Sequence, residues 1–121
     1  MKIENIKFKA KSLLDGAWVQ GDLIHKENGM IGILTNGFCV SEVDSSTVCQ
    51  FTGLKDCKGN ELYEHDVIEN YPFIPSEIVW SEELSGYYLT YDNGKIYEKP
   101  LGYYLSLGKF IVVGNKFDKE K

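Results

Sequence analysis

Hydrophobic and polar residues alternate with the period of β-strands over most of this 121-residue chain. Residues 7–11 alternate charged and apolar side chains, and apolar-rich segments follow at 17–24 and 30–34. The remaining segments with strand character are 38–40, 49–52, 67–69, 78–81, 87–91, 95–98 and 110–115. A series of short strands separated by turn signals is typical of a small barrel or sandwich, so the pattern predicts a mainly β protein.

Three Asn-Gly pairs predict tight turns, because this dipeptide supplies the positive φ angles that a two-residue hairpin needs. Asn28-Gly29 is expected to join residues 18–24 to residues 30–34 as an antiparallel hairpin. Asn36-Gly37 repeats the signal before residues 38–40. Asn93-Gly94 should turn residues 87–91 back into residues 95–98.

A short helix is predicted only between Pro100 and Gly108. Leu101, Tyr104 and Leu105 have the i, i+3, i+4 spacing of one helical face, and Gly108 is a suitable end.

Length and composition predict a single domain with one hydrophobic core. A chain of this size buries roughly 65% of the surface that its unfolded form exposes, enough for one core. Hydrophobic residues make up 43% and charged residues 26%, which are ordinary globular values.

One segment carries a specific motif. Residues 50–56 read Gln-Phe-Thr-Gly-Leu-Lys-Asp, residues 58–64 read Lys-Gly-Asn-Glu-Leu-Tyr-Glu, and Asp-Val-Ile follows at 66–68. This pattern resembles the YopX family of bacteriophage and prophage proteins. The similarity extends upstream to residues 6–10 and 18–23, and downstream to 79–80 and 112–115, so it covers most of the chain.

The resemblance implies a fold but no assigned activity. The implied fold is a small SH3-like barrel, or roll, with an added N-terminal β-hairpin region. In this interpretation residues 1–121 form one domain, with region 1–47 packed on a barrel core of residues 48–118. Residues 119–121 are expected to be a disordered tail.

The motif allows an architectural and a functional interpretation. Gly53 and Gly59, like Gly29 and Gly94, suit turn positions with positive φ, and Asp56 can accept hydrogen bonds from nearby backbone amides. This architectural interpretation is preferred. In the functional one, polar side chains form an exposed patch that binds a partner or ligand: Gln50, Thr52, Lys55, Asp56, Glu64 and Asp66.

His65 occupies the position that is usually Gly in the family. Histidine tolerates a left-handed backbone better than most residues, so the turn should survive. A metal site of His65, Glu64, Asp66 and a thiol is disfavoured, because adjacent residues of an extended chain point to opposite faces. Three cysteines without a Cys-x-x-Cys spacing predict reduced thiols. We therefore expect no metal, cofactor or catalytic residue.

Charge argues against base-specific nucleic-acid recognition. The formal net charge is −5, and the chain has no Arg to form bidentate contacts with phosphates or guanine. Lys7, Lys9 and Lys11 share one face of a strand. They could follow a phosphate backbone, but the preferred interpretation is an edge strand whose charges discourage aggregation.

The aromatic residues are divided between core and interface. Trp18, Trp80, Tyr87 and Phe110 are assigned to the core, because large rings must be buried somewhere in a small domain. Loop aromatics close to Pro are presented at low entropic cost, and the candidates for partner contacts are Tyr71, Phe73 and Tyr103.

These observations predict a non-enzymatic β-barrel interaction module. Its partner would be a phage or host protein, or its own copies in a homo-oligomer. The alternative is a nucleic-acid-associated accessory or regulatory factor, although nucleic acid is the less expected partner. No apolar run suggests a signal peptide or a membrane segment, so we expect location in the cytoplasm of the bacterial host.

Overall fold

The computed structural model describes residues 2–70, 74–91 and 94–118. The protein is mainly β, and its strands pair antiparallel, which confirms the predicted fold class. The chain divides into two compact units, Met1–Phe51 and Thr52–Lys121.

The N-terminal unit contains two 3-10 helices, Ile3–Asn5 and Ser45–Thr47, besides its strands. The strands are β1 (Phe8–Lys11), β2 (Trp18–His25), β3 (Ile31–Thr35), β4 (Cys39–Val43) and the beginning of β5 (Cys49–Lys55), within which the division falls. Their order in the sheet is β4-β3-β2-β1-β5. Ala10, Ile33 and Val43 are buried and form the centre of its core.

Strand β2 changes partner at Gly21. Residues 18–21 pair with β1, whereas residues 22–25 pair with β3. Gly21 has a φ of +154°, and a Cβ atom at this position would lie 2.0 Å from the carbonyl oxygen of Leu34. Glycine therefore permits the close approach of the two backbones where β2 passes from one partner to the other.

Two hairpins form at predicted Asn-Gly pairs. Gly29 has a φ of +85°, and the Asn28 side chain accepts a hydrogen bond from the Met30 amide at 2.9 Å. Asn36 and Gly37 both have positive φ, as a type I′ turn requires. Local turn chemistry thus determines the β2–β3 and β3–β4 connections.

The prediction that the lysine-rich strand lies at a sheet edge is wrong. Strand β1 pairs with β2 on one side, and its Phe8 and Lys9 pair with Gln50 and Cys49 on the other. An isolated β-bridge between Ser12 and Val43 adds backbone pairing directly after the end of β1. The lysines of β1 therefore belong to an interior strand.

The C-terminal unit contains the rest of β5 and six further strands. These are β6 (Glu61–Tyr63), β7 (Asp66–Glu69), β8 (Ser76–Ser81), β9 (Gly86–Tyr91), β10 (Lys95–Pro100) and β11 (Ile111–Asn115), with helix α1 (Leu101–Leu107) preceding the last. Five of them form a sheet in the order β10-β9-β8-β7-β11. Strand β6 was not predicted, because the motif around it was interpreted as turns.

The core of the C-terminal unit consists of Leu62, Ile68, Ile78, Leu89 and Leu101, all buried. Tyr87 and Phe110 pack against it, as predicted. Trp80 does not belong to this core. Trp80 is 41% exposed and lies near the end of β8. Its ring packs edge-on against Tyr87, with the ring centroids 5.0 Å apart.

The described strands do not confirm an SH3-like barrel in residues 48–118. The five-stranded sheet is open, with β10 and β11 as its outer strands. The single-domain arrangement and the packing of region 1–47 on 48–118 stay predictions, and the expected tail of residues 119–121 lies outside the described residues. In the described part of the chain, no helix has the length and apolar character needed to cross a membrane.

Gly94 gives a direct test of the β9–β10 turn. Its φ is +83°, and a Cβ atom would meet nothing within 4 Å, so only backbone strain opposes a larger residue. Gly94→Ala should lower the free energy of unfolding by about 1 kcal/mol. The same change at Gly102, inside α1, should raise it by about 0.5–1 kcal/mol. Urea denaturation should show a lower free energy of unfolding for Gly94→Ala and a higher one for Gly102→Ala. Equal changes in the two variants would contradict the β9–β10 turn.

Candidate functional site

The carboxylate of Asp56 organises the loop between β5 and β6. Asp56 is only 6% exposed, and its Oδ1 accepts hydrogen bonds from the backbone amides of Lys58 at 2.9 Å and Asn60 at 2.8 Å. Its Oδ2 accepts from the Asn60 side chain at 3.1 Å and from the Val112 amide at 3.0 Å. Gly59 in the same loop has a φ of +88°. Asp56 is therefore a structural group of the C-terminal unit rather than an exposed contact.

The same carboxylate protects a sheet edge. Val112 belongs to the outer strand β11, and its amide is bonded to Asp56 instead of being available to another strand. Burial raises the pKa of Asp56, but the hydrogen bonds from Val112, Asn60 and Lys58 outweigh it and hold this pKa below its usual value.

Asp66 is buried as well, at 1% exposure. Its carboxylate accepts hydrogen bonds from the Tyr63 amide and from the Asn115 side chain, each at 2.8 Å. Burial raises the pKa of Tyr63, and the negative charges of Glu61 and Asp66 add to the increase. Asp66 thus ties the β6–β7 turn to β11, and it is not part of an exposed polar patch.

His65 adopts the left-handed backbone that its position in the motif suggested, with a φ of +73°. Its Nδ1 lies 2.7 Å from Oε2 of Glu77, and its Nε2 lies 3.5 Å from Oε2 of Glu64. The ring also packs edge-on against Phe117. The two carboxylates contact different ring nitrogens, so they do not converge on one point.

The described residues contain no group of three or more His, Cys, Asp or Glu side chains that could hold a metal ion. Cys49 is buried, whereas Cys39 and Cys57 are exposed, and none of the three forms a disulfide.

The remaining motif residues do not form one cluster. Gln50 lies opposite Phe8 in the N-terminal unit. Thr52 is half-buried, and its hydroxyl donates to the Leu62 carbonyl at 2.8 Å. Lys55 is exposed, and Gly53 has a φ of +87°. Tyr71 and Phe73 lie outside the described residues.

The ammonium groups of Lys7, which directly precedes β1, and of Lys9 and Lys11 in β1 lie over aromatic rings of the N-terminal unit. The Lys7 Nζ atom is 4.9 Å from the ring centroid of Phe51, and the Lys9 and Lys11 Nζ atoms are 4.7 and 5.6 Å from Trp18. These are cation–π distances. Trp18 is half-buried beneath them instead of lying in the core, because the lysine stems occupy this face of the sheet.

Helix α1 presents an exposed face that includes one predicted interface residue. Tyr103 is 45% exposed, and Leu107, one turn later, is 67% exposed. The Tyr103 ring packs edge-on against Tyr104, and Lys99 Nζ lies 5.6 Å from its centroid. On the opposite side, Leu101 and Tyr104 pack into the core, so the exposed face has a rigid support. We call Tyr103 and Leu107 the α1 face.

A cavity of about 340 Å³ lies beside this helix in the C-terminal unit. Leu89, Tyr97, Tyr104 and Phe110 form apolar and aromatic walls, Asn70 and Ser76 contribute polar groups, and Ile74, Leu107 and Gly108 complete the lining. The sequence did not reveal this cavity. The helical spacing of Leu101 and Tyr104 was visible, but the residues that line the cavity together with Tyr104 come from separate segments of the chain.

Comparison with known proteins identifies a family. The family model described as YopX protein matches residues 7–120. Neither the curated proteins nor the solved structures gave a match. Since the family model covers nearly the whole chain and the motif at residues 50–68 lies within it, the chain belongs to the YopX family.

Proposed function

We propose that the protein is a non-enzymatic interaction module that binds a protein partner, of phage or host origin, through the α1 face. The observation that carries this proposal is the pairing of an exposed Tyr and an exposed Leu one helical turn apart, at positions 103 and 107. Side chains at this spacing lie on the same side of a helix and can enter a partner surface together.

The energetics of interfaces support this choice of surface. Tyr brings a large contact area with few rotatable bonds, and it is enriched among residues that dominate binding energy. Tyr103 is held by its edge contact with Tyr104, which packs against the core. Part of the ordering cost is therefore already met in the free protein.

The nucleic-acid alternative has weaker support. The lysines that would contact phosphates, at positions 7, 9 and 11, lie over Phe51 and Trp18, and the chain carries a formal charge of −5. The proposed setting is the cytoplasm of a bacterial host, in accord with the phage and prophage resemblance. The proposed activity needs no cofactor.

Affinity capture with two double variants tests the proposal. Tyr103→Ala/Leu107→Ala removes the α1 face, and Phe38→Ala/Leu14→Ala removes a matched exposed pair from the N-terminal unit. Capture from infected or lysogenic cells, with and without nuclease, should yield a nuclease-resistant partner. The purified partner should bind the first variant at least about tenfold more weakly and the second unchanged.

The free energy of unfolding of both variants should stay within about 0.5 kcal/mol of the unmodified protein, as expected for surface sites. Equal binding to both variants would contradict the α1 face. A partner released by nuclease would favour the accessory-factor alternative, and Lys7, Lys9 and Lys11 would then control a strongly salt-dependent affinity. Sedimentation equilibrium tests whether the partner is a second copy of the chain. In that case the unmodified protein and the Phe38/Leu14 variant should stay associated, and only the Tyr103/Leu107 variant should dissociate.

A further inference from the structure

We infer that the cavity beside α1 is a binding site for a neutral, largely apolar molecule that carries an aromatic ring and one hydrogen-bonding group. This goes beyond the proposed function, because it assigns a ligand to the cavity itself. Leu107 belongs both to the cavity lining and to the α1 face, whereas Tyr103 belongs to the α1 face alone. The inference depends on the size of the cavity, the chemistry of its walls and the polar side chains among its lining residues.

The size of the cavity suits a small ring compound. Its volume is about 340 Å³. An engineered apolar cavity of about 150 Å³ holds benzene, and ligand pockets generally begin near 300 Å³. A single substituted ring would therefore fit with room for a short substituent.

The walls favour a flat, apolar guest. The rings of Tyr97 and Tyr104 lie 5.4 Å apart at an interplanar angle of 55°, and Phe110 contributes a third ring. Leu89, which is buried, provides an aliphatic surface. Aromatic guests make offset or edge-on contacts with such walls.

The uncharged character of the described lining residues sets the charge of the guest. Among the nine lining residues that the structure describes, none is an acid, a lysine or a histidine. An ionised ligand would lose its hydration without gaining a partner of opposite charge, which is strongly unfavourable. A neutral molecule has no such penalty.

Ser76 identifies where a polar group of the ligand would bind. The residue is 5% exposed and lines the cavity, so its hydroxyl is a polar group within reach of a ligand there. A serine hydroxyl can donate one hydrogen bond and accept others. The Asn70 side chain, on the same cavity, offers a second donor and acceptor. A phenol or an amide could form a hydrogen bond with the Ser76 hydroxyl, whereas a hydrocarbon could not.

The test adds simple probe compounds to the full chain and monitors their binding by NMR of the protein's methyl and amide groups. p-Cresol has the proposed chemistry, toluene lacks the hydroxyl, and p-toluate adds a negative charge. We expect p-cresol to shift the Leu89 methyl signals and to bind about fivefold more tightly than toluene, the value of one modest hydrogen bond. p-Toluate should cause no shift at these methyl groups.

Substitution of the hydroxyl separates its contribution from that of the walls. Ser76→Ala should reduce the affinity for p-cresol to that for toluene and leave toluene unchanged. Ser41→Ala, a serine on a strand of the N-terminal unit, is the matched control and should change neither. If Ser76→Ala does not fold, the affinities of the unmodified protein for p-cresol and toluene still show whether a hydrogen bond contributes to binding.

N-acetyltyrosinamide distinguishes two sources of the same chemistry. Binding of both this compound and p-cresol indicates that the cavity can accept a tyrosine side chain from a protein, whereas binding of p-cresol alone indicates a free small molecule. Equal affinity for p-cresol and toluene, or no shift at Leu89 with any probe, would overturn the inference. Leu107 lines the cavity but Tyr103 is not among its lining residues, so the single variant Tyr103→Ala should bind p-cresol unchanged. Loss of a protein partner by Tyr103→Ala alone would therefore be independent of these results.

Discussion

Replacing Gly21 with alanine is expected to lower the free energy of unfolding by about 3 kcal/mol or more, an effect among the larger ones known for single substitutions. The new Cβ atom would lie 2.0 Å from the Leu34 carbonyl oxygen, a backbone atom that cannot turn aside. The φ of +154° adds strain, because side chains other than that of glycine rarely adopt it. The change should separate β2 from β3.

Gly16→Ala is the appropriate control for this prediction. Gly16 also has a positive φ, +75°, but a Cβ atom there would meet nothing within 4 Å. Its substitution should therefore cost only the backbone strain, about 1 kcal/mol. Urea denaturation should place the two midpoints clearly apart. Equal midpoints would show that β2 does not approach β3 at Gly21 as closely as described.

Asp56→Asn should lower the free energy of unfolding at neutral pH by about 3 kcal/mol. The Asp56 carboxylate accepts four hydrogen bonds, whereas an amide has one acceptor oxygen and directs an NH₂ group towards donors. Each buried donor left unsatisfied costs about 1–3 kcal/mol. Asp22→Asn, on an exposed residue of the same type, should change the free energy by no more than about 0.5 kcal/mol.

The same carboxylate predicts part of the pH dependence of stability. Its pKa is lower in the folded state, so its stabilising effect is complete above the unfolded pKa of about 3.9. The effect is lost as pH falls through the lower folded pKa. Urea midpoints between pH 7 and pH 2 should fall in the unmodified protein, and Asp56→Asn should show a smaller fall. A parallel fall in both proteins would contradict this assignment.

Local chemistry made several features predictable from the sequence. The turns at Asn28-Gly29 and Asn36-Gly37 depend on residues within the turn itself, and the structure has them where expected. Helix α1 follows from the spacing of Leu101 and Tyr104. The positive φ of His65 was likewise indicated by its position in the motif.

Features that depend on distant partners were not predictable in this way. The placement of β1 inside a sheet requires Phe8 to pair with Gln50, and its own charged pattern suggested an edge instead. Asp56 appeared as a turn residue, but its contact with Val112 joins positions 56 residues apart. Ser76 has no feature in the sequence that distinguishes it, since its significance arises only where the cavity walls meet.

Mapping of the partner contact by NMR tests the proposed function most directly. The isotopically labelled protein would be titrated with the purified nuclease-resistant partner, and the shifts of its backbone amides would be followed. We predict that the largest shifts lie in residues 99–108, around Tyr103 and Leu107. Shifts confined to residues 7–11 and Trp18, or absent from the helix, would contradict the account.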